Sequence, residues 1–126
     1  MTGSARRGFT LIEMLVVMAI IATLLTIAVP RYFRSLERSR EAVLKQDLTT
    51  LRETIDKFYG DTGKFPETLA TLVEQHYLRS IPVDPIAKSA EKWVVVLADD
   101  AEDHGVKDVH SGAEGTGEGG LPYATW

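Results

Sequence analysis

The 126-residue sequence has no cysteine and has little positive charge in its C-terminal half. Without cysteine, disulfides and thiolate metal sites are excluded, so the folded part must be stabilised by packing, by assembly or by metal bound through other ligands. Residues 61–126 carry five Lys/Arg against twelve Asp/Glu. Because nucleic-acid binding needs a basic face, we expect no nucleic acid among the partners.

Catalytic motifs are equally scarce. The sequence contains no phosphate-binding loop, dinucleotide fingerprint or zinc-ligand spacing. Asp108, His110 and Ser111 are close in sequence, but neighbouring residues of a strand point to opposite faces, so we expect no triad. His76 is expected to be a packing or surface residue rather than a base. The sequence therefore predicts that the protein is not an enzyme.

One long apolar run is present near the N-terminus. Residues 9–29 would form a helix about 31 Å long, which matches the hydrocarbon core of a bilayer. Arg6 and Arg7 precede the run, and Glu13 is its only ionisable side chain. A carboxylate in hydrocarbon costs roughly 2.5–3.5 kcal/mol, so Glu13 needs a compensating partner.

Three interpretations of this segment compete. A secretory signal peptide would have a shorter apolar run and a better cleavage site than residues 26–30 offer. A plain signal anchor explains the basic leader by the positive-inside rule but leaves Glu13 unexplained. A prepilin-type leader, cut on the cytoplasmic side before the apolar run, accounts for both features.

The segment Gly8–Glu13, with the sequence GFTLIE, resembles the processing site of type IV pilins and type II secretion pseudopilins. The resemblance implies that prepilin peptidase cleaves between Gly8 and Phe9 and that Phe9 becomes N-methylphenylalanine. Cleavage creates an α-amine at Phe9, one helical turn from Glu13. In a filament this amine can lie near Glu13 of a neighbouring subunit and fix the axial register. The competing interpretation is that Glu13 snorkels to the interface or is protonated.

A second helical pattern follows the apolar run. Pro30 predicts a kink or an unwound stretch, after which apolar residues recur with spacings of three and four up to Phe58. The sequence thus predicts one long helix from about Phe9 to Tyr59, with a membrane half and an amphipathic half. The alternative for the second half is a coiled-coil stalk, although Arg40 interrupts its seam.

Glycine and proline mark the region after this helix. Residues 60–63 are expected to end it, and residues 65–67 to start a short amphipathic helix that continues to about Leu78. Residues 81–85 contain two prolines and predict an extended turn. The order of residues from Asp61 to Pro85 is similar to that in the major pseudopilin of the type II secretion system. This resemblance favours a pseudopilin over other pilin-like proteins.

The remainder predicts a small antiparallel sheet. Residues 93–98 read as a buried strand, residues 99–105 as a polar turn and residues 106–110 as a strand that pairs back as a hairpin. Residues 112–120 hold five of the ten glycines and predict an irregular loop. The aromatic residues near Trp126 are expected to pin the chain end to the sheet. The fold class is α+β, and the resemblance implies the pilin-like lollipop.

Two acidic regions offer oxygen ligands for calcium. Residues 99–104 lack EF-hand spacing and favour an exposed acidic turn. Many major pseudopilins bind calcium near the C-terminus, where this chain has Ser111, Glu114 and Glu118 but lacks the usual run of aspartates. We expect no required cofactor, because glycine turns and the Trp126 anchor can hold this loop in place of a metal. The alternative is that the loop binds calcium.

These features together predict four segments: a leader peptide (1–8), a membrane and filament-core helix (9–29), its amphipathic continuation (30–60) and a periplasmic domain (61–126). The resemblance implies a filament subunit of type II secretion. Its partners would be membrane lipid, prepilin peptidase, further copies, other pseudopilins and an inner-membrane assembly platform. Gly8, Phe9, Glu13 and Pro30 are the expected processing and assembly residues. The alternatives are a type IV pilin or minor pilin for adhesion or motility, and a membrane-anchored binding or enzymatic domain.

Overall fold

The computed structural model describes residues 7–126, so Arg6 and most of the predicted leader lie outside the described residues. The elements in chain order are helix α1 (Leu11–Thr62), helix α2 (Leu69–Glu74), strand β1 (Val94–Leu97), strand β2 (Val106–His110) and a 3₁₀ turn (Tyr123–Thr125). This α+β composition confirms the predicted fold class. The described residues divide into two compact units, residues 7–37 and residues 38–126.

The first unit contains the apolar part of α1. Its large hydrophobic side chains are exposed, and no residue of its most apolar stretch is buried against the rest of the described chain. By length and composition this is the one helix of the described residues that could cross a membrane. A helix that is apolar all round needs an apolar surrounding, whether lipid or other helices.

The second unit is built on the amphipathic part of α1. Every third or fourth residue of the helix is buried, as the spacing predicted, and these residues form the core with side chains from α2, β2 and the C-terminal turn. The helical members of this core are Leu44, Leu48, Leu51, Ile55 and Phe58.

Helix α1 ends three residues later than predicted, at a glycine. Gly63 has a φ of 75°, and its amide donates to the Tyr59 carbonyl at 2.8 Å. This is the left-handed terminator that the sequence predicted for residues 60–63.

The predicted start of the second helix was wrong. Pro66 precedes α2 and is fully buried, and its carbonyl accepts a hydrogen bond from the Val106 amide at 2.7 Å. The helix begins after Thr68, whose hydroxyl accepts from the Thr71 amide at 3.3 Å, and it ends at Glu74 rather than near residue 78. A β-carbon on Gly105 would overlap the backbone of residues 65–66, so glycine permits the close approach that holds Pro66 outside the helix.

The hairpin forms as predicted, but β1 is not a buried strand. Strands β1 and β2 pair antiparallel, with Val95 opposite Val109 and a register shift after Val96. Val109 is fully buried, whereas Val94, Val95 and Leu97 are 52%, 40% and 55% exposed. The described residues form a sheet of two strands, so β1 is an edge strand, and the buried residues of this segment are Trp93 and Ala98, which flank it.

Candidate functional site

The Gly8–Phe9 peptide bond lies before the helix. Helix α1 starts at Leu11 rather than at the predicted Phe9, and residues 7–10 have no regular structure. Phe9 is 80% exposed, and a β-carbon on Gly8 would meet no other atom within 4 Å. A peptidase can reach this bond without first unwinding a helix.

Thr10 and Glu13 form a reciprocal cap at the start of α1. The Thr10 amide donates to Glu13 Oε2 at 3.1 Å, and the Glu13 amide donates to Thr10 Oγ1 at 3.1 Å. This capping box satisfies two of the amides that a helix start leaves unpaired. This cap was not among the expectations above, although Thr-x-x-Glu before an apolar run is its usual signature. Glu13 therefore has a partner within its own chain.

Helix α1 continues through Pro30, so the predicted alternative of an unwound stretch is wrong, and a kink at Pro30 stays a prediction. Proline cannot donate to the carbonyl four residues earlier, so the Thr26 carbonyl lacks its usual helical donor. The hydroxyls of Thr23 and Thr26 donate at 2.8 Å to the carbonyls of Ala19 and Ala22. These bonds satisfy two hydroxyls that would otherwise be costly in an apolar surrounding.

The three residues suggested for calcium are not brought together as ligands. The Ser111 hydroxyl is fully buried and donates to Asp84 Oδ2 at 2.5 Å. Glu118 accepts from both Nε and Nη2 of Arg38, with the shorter distance at 2.7 Å. Glu114 is exposed. Within residues 7–126, no group of three carboxylate or imidazole side chains is arranged to hold a metal.

Asp84 is the buried polar centre of the second unit. Its Oδ1 accepts from the amides of Ile86 and Ala87 at 2.9 and 3.0 Å, while its Oδ2 accepts from Ser111. Both oxygens are thus satisfied, as burial of a carboxylate requires. Burial, and secondarily the Asp84 charge, raises the pKa of Asp47 above its usual value. This site fixes the turn of residues 84–89 to the glycine-rich loop.

Arg52 ties the C-terminal turn to α1 and β2. Its Nε donates to Asp108 Oδ1 at 3.0 Å, and its Nη2 donates to the carbonyls of Val109 and Trp126 at 2.9 and 2.7 Å. His110 Nδ1 lies 2.6 Å from the same Trp126 oxygen. The chain end is therefore anchored to the helix as well as to the sheet, which extends the prediction.

No catalytic triad results from the residues examined in the sequence. Asp108 and His110 share a strand face, with Asp108 Oδ2 3.7 Å from His110 Nε2. The Ser111 hydroxyl instead donates a hydrogen bond to Asp84. His76 is exposed, with a φ of 64°. A groove of about 750 Å³ in the second unit is lined by mixed charges and apolar residues, and Nε and Nη2 of its Arg52 already donate to Asp108, Val109 and Trp126.

The acidic hairpin turn contains one structural carboxylate. Asp103 accepts from the amides of Phe65 and Gly105 at 2.9 and 3.0 Å. These two hydrogen bonds, the Phe65 bond first, lower the pKa of Asp103 below its usual value. Its neighbours Asp99, Asp100 and Glu102 are exposed, as expected for a turn.

A long N-terminal helix apolar enough to cross a membrane, a short second helix and a two-stranded antiparallel sheet are the α+β fold of the pilin-like class. Residues 3–29 match the family model described as the prokaryotic N-terminal methylation motif. Because a type II secretion system core protein G is 31% identical to this chain over 69% of its own length, the chain belongs to the core protein G family.

Two relatives of that name illustrate the match. The protein from Klebsiella pneumoniae is 31% identical over 96 residues, which cover 64% of this chain and 69% of that protein. The protein from Xanthomonas campestris is 32% identical over 88 residues, covering 70% of this chain and 62% of the relative, slightly less than two thirds. The type IV major pilin protein PilA of Myxococcus xanthus is 34% identical over 61 residues, covering 48% of this chain and 28% of PilA. No solved structure gives a significant match.

Proposed function

We propose that the protein is a structural, non-catalytic subunit of a pilus-like filament, the pseudopilus, that drives protein export by a type II secretion system. The observation that carries this proposal is the exposed Gly8–Phe9 bond next to a capped, apolar helix start. The names of the relatives support the assignment to secretion.

Processing is the first step of the proposed mechanism. Prepilin peptidase removes residues 1–8, and Phe9 receives its N-methyl group. Before cleavage the chain is a single-pass protein of the bacterial inner membrane, with a cytoplasmic N-terminus and residues 61–126 in the periplasm. Residues 9–29 form the span and later the filament core, and residues 30–60 connect it to the periplasmic domain.

Assembly is the second step, and Glu13 directs it. Subunits leave the bilayer laterally and pack their apolar helices, guided by other pseudopilins and an inner-membrane assembly platform. The α-amine of Phe9 pairs with Glu13 of a neighbouring subunit, so each charge has a partner where water is scarce. Such a pair contributes register more than stability, because its attraction mainly offsets desolvation. Continuity of α1 through Pro30 allows one helix to serve both halves.

The alternative is a type IV pilin or minor pilin of a surface fibre. The similarity to PilA favours it, but that similarity covers less of this chain than the core protein G matches do. Gene deletion separates the two. We expect loss of exoproteins from the culture supernatant with surface motility unchanged, and rescue by the wild-type gene. Loss of motility with normal export would favour the pilin.

A further inference from the structure

A basic, aromatic segment follows the apolar part of α1 directly. Arg31, Tyr32, Phe33 and Arg34 come immediately after Pro30, within the first structural unit. Tyr32 and Phe33 are 65% and 57% exposed, and their rings pack edge to face with centroids 5.8 Å apart. Two large aromatic rings are thus kept at the surface where the apolar run ends.

The two arginines of this segment have no side-chain partner among the described residues. Residues 31–40 contain four arginines and one acidic residue. The side chains of Arg31 and Arg34 make no hydrogen bond or ion pair with any described residue, unlike those of Arg38 with Glu118 and Arg52 with Asp108. They are three residues apart in a helix, so both guanidinium groups reach the same side.

The position along α1 selects one environment for these groups. Over the 20 residues from Leu11 to Pro30, α1 rises about 30 Å, close to the thickness of the hydrocarbon core. Residues 31–34 then lie at the level of the phospholipid headgroups. Tyrosine favours this boundary because its ring is apolar and its hydroxyl is polar. Guanidinium groups bind phosphate oxygens in a bidentate manner.

We propose that Arg31 and Arg34, flanking Tyr32 and Phe33, bind the headgroups of anionic phospholipids at the surface where α1 leaves the bilayer. The site holds the unassembled subunit at a fixed depth and must release its lipid when the subunit enters a filament. This inference rests on the membrane span of the proposed function. That function requires only a lipid bilayer, whereas the inference names anionic phospholipids as the ligand.

The test uses the full-length protein in nanodiscs made from equal parts of phosphatidylglycerol and phosphatidylcholine. Lipid retained by the protein after gentle release is measured by mass spectrometry. Arg31→Gln/Arg34→Gln is compared with wild type and with Arg40→Gln, a matched change six residues further along the helix. Each arginine near an anionic surface is expected to change lipid association about fivefold.

The proposal requires that wild type and Arg40→Gln retain phosphatidylglycerol in excess. It requires that the double variant lower this enrichment about tenfold or more. Equal enrichment in all three proteins, or an equal loss in Arg40→Gln, would overturn it. Unchanged lipid with lost cross-linking between copies would assign the arginines to an acidic face of a second copy instead. Failure of wild type to enter the bilayer would contradict the membrane span itself, which separates the two failures.

Discussion

Thr10 and Glu13 cap each other at the N-terminus of α1, through two backbone-to-side-chain hydrogen bonds of 3.1 Å. Glu13 is therefore anchored in its own chain before any second subunit arrives. The cap uses Oε2, and it fixes the direction of the carboxylate by tying it to the first turn of the helix. A preoriented carboxylate loses less side-chain freedom when a neighbouring amine binds it. The local cap and the proposed contact between subunits are thus compatible, and mutation can separate them.

Replacing Gly8 by arginine should block processing without unfolding the protein. The position is open, because a β-carbon there meets nothing within 4 Å, so the effect must arise at the peptidase. The mass of the membrane-bound protein measures it: we expect the full chain of 126 residues. Gly60→Ala, at a second open position, is the control and should be cleaved normally. Mature Gly8→Arg protein would refute the cleavage site.

Replacing Ser111 by alanine should destabilise the second unit, residues 38–126. The change leaves buried Asp84 Oδ2 without the hydroxyl donor 2.5 Å away, and such a loss costs about 1–3 kcal/mol. For a domain of this size each kcal/mol lowers Tm by about 4–8 °C. Thermal unfolding followed by circular dichroism measures the shift. Glu114→Ala, an exposed change in the same loop, is the control. An unchanged Tm for Ser111→Ala would remove this pair from the stabilising contacts.

The stabilisation by Asp103 should be lost in acid. The amides of Phe65 and Gly105 lower the pKa of Asp103 from its ordinary value of 3.8, so the folded state binds the proton less readily than the unfolded state. The contribution is complete above pH 3.8 and disappears as pH falls through the lower folded pKa. Asp103→Asn should therefore be less stable than wild type at pH 7, with the difference shrinking towards pH 3. A constant difference in urea unfolding from pH 7 to pH 3 would contradict this.

Chelation should leave the melting temperature unchanged. Of the three residues suggested for calcium, Ser111 is bound by Asp84 and Glu118 by Arg38. The glycine-rich loop is held by these contacts and by the Arg52 bonds to the C-terminal turn. Melting curves in EGTA and in excess calcium should coincide. A large drop in Tm with EGTA would establish a structural metal.

Local patterns in the sequence predicted the helices of the core and the hairpin. The apolar spacing of three and four from Leu44 to Phe58 relates residues one helical turn apart. Gly63 ends the helix through its own backbone conformation. What failed depended on distant partners. The Pro66 carbonyl, outside α2, accepts a hydrogen bond from the Val106 amide, forty residues away. The buried carboxylate of Asp84 accepts one from the Ser111 hydroxyl. The exposure of β1 depends on how many strands the sheet contains, which the apolar run 93–98 does not encode.

The candidate site divides in the same way. The Gly8–Glu13 motif and the apolar run were readable because they are contiguous. The Thr10–Glu13 cap is equally local, since its two residues are three positions apart, and Glu13 has this role besides that of a charge in the apolar run. The contacts of Arg38 and Arg52 join residues more than fifty positions apart, so no spacing rule could reveal them.

The central claim is that the charge of Glu13, and not its cap, drives assembly. Glu13→Gln keeps an oxygen that can accept from the Thr10 amide but removes the charge, whereas Thr10→Val removes the capping hydroxyl and keeps the charge. The measurement is the ratio of filament-incorporated to processed subunit in cells that produce each variant. We predict normal processing of both, near wild-type assembly of Thr10→Val, and a loss of about a hundredfold or more for Glu13→Gln, because an unpaired buried charge costs about 3–5 kcal/mol. Wild-type assembly of Glu13→Gln together with failure of Thr10→Val would contradict the account and leave Glu13 as a helix cap.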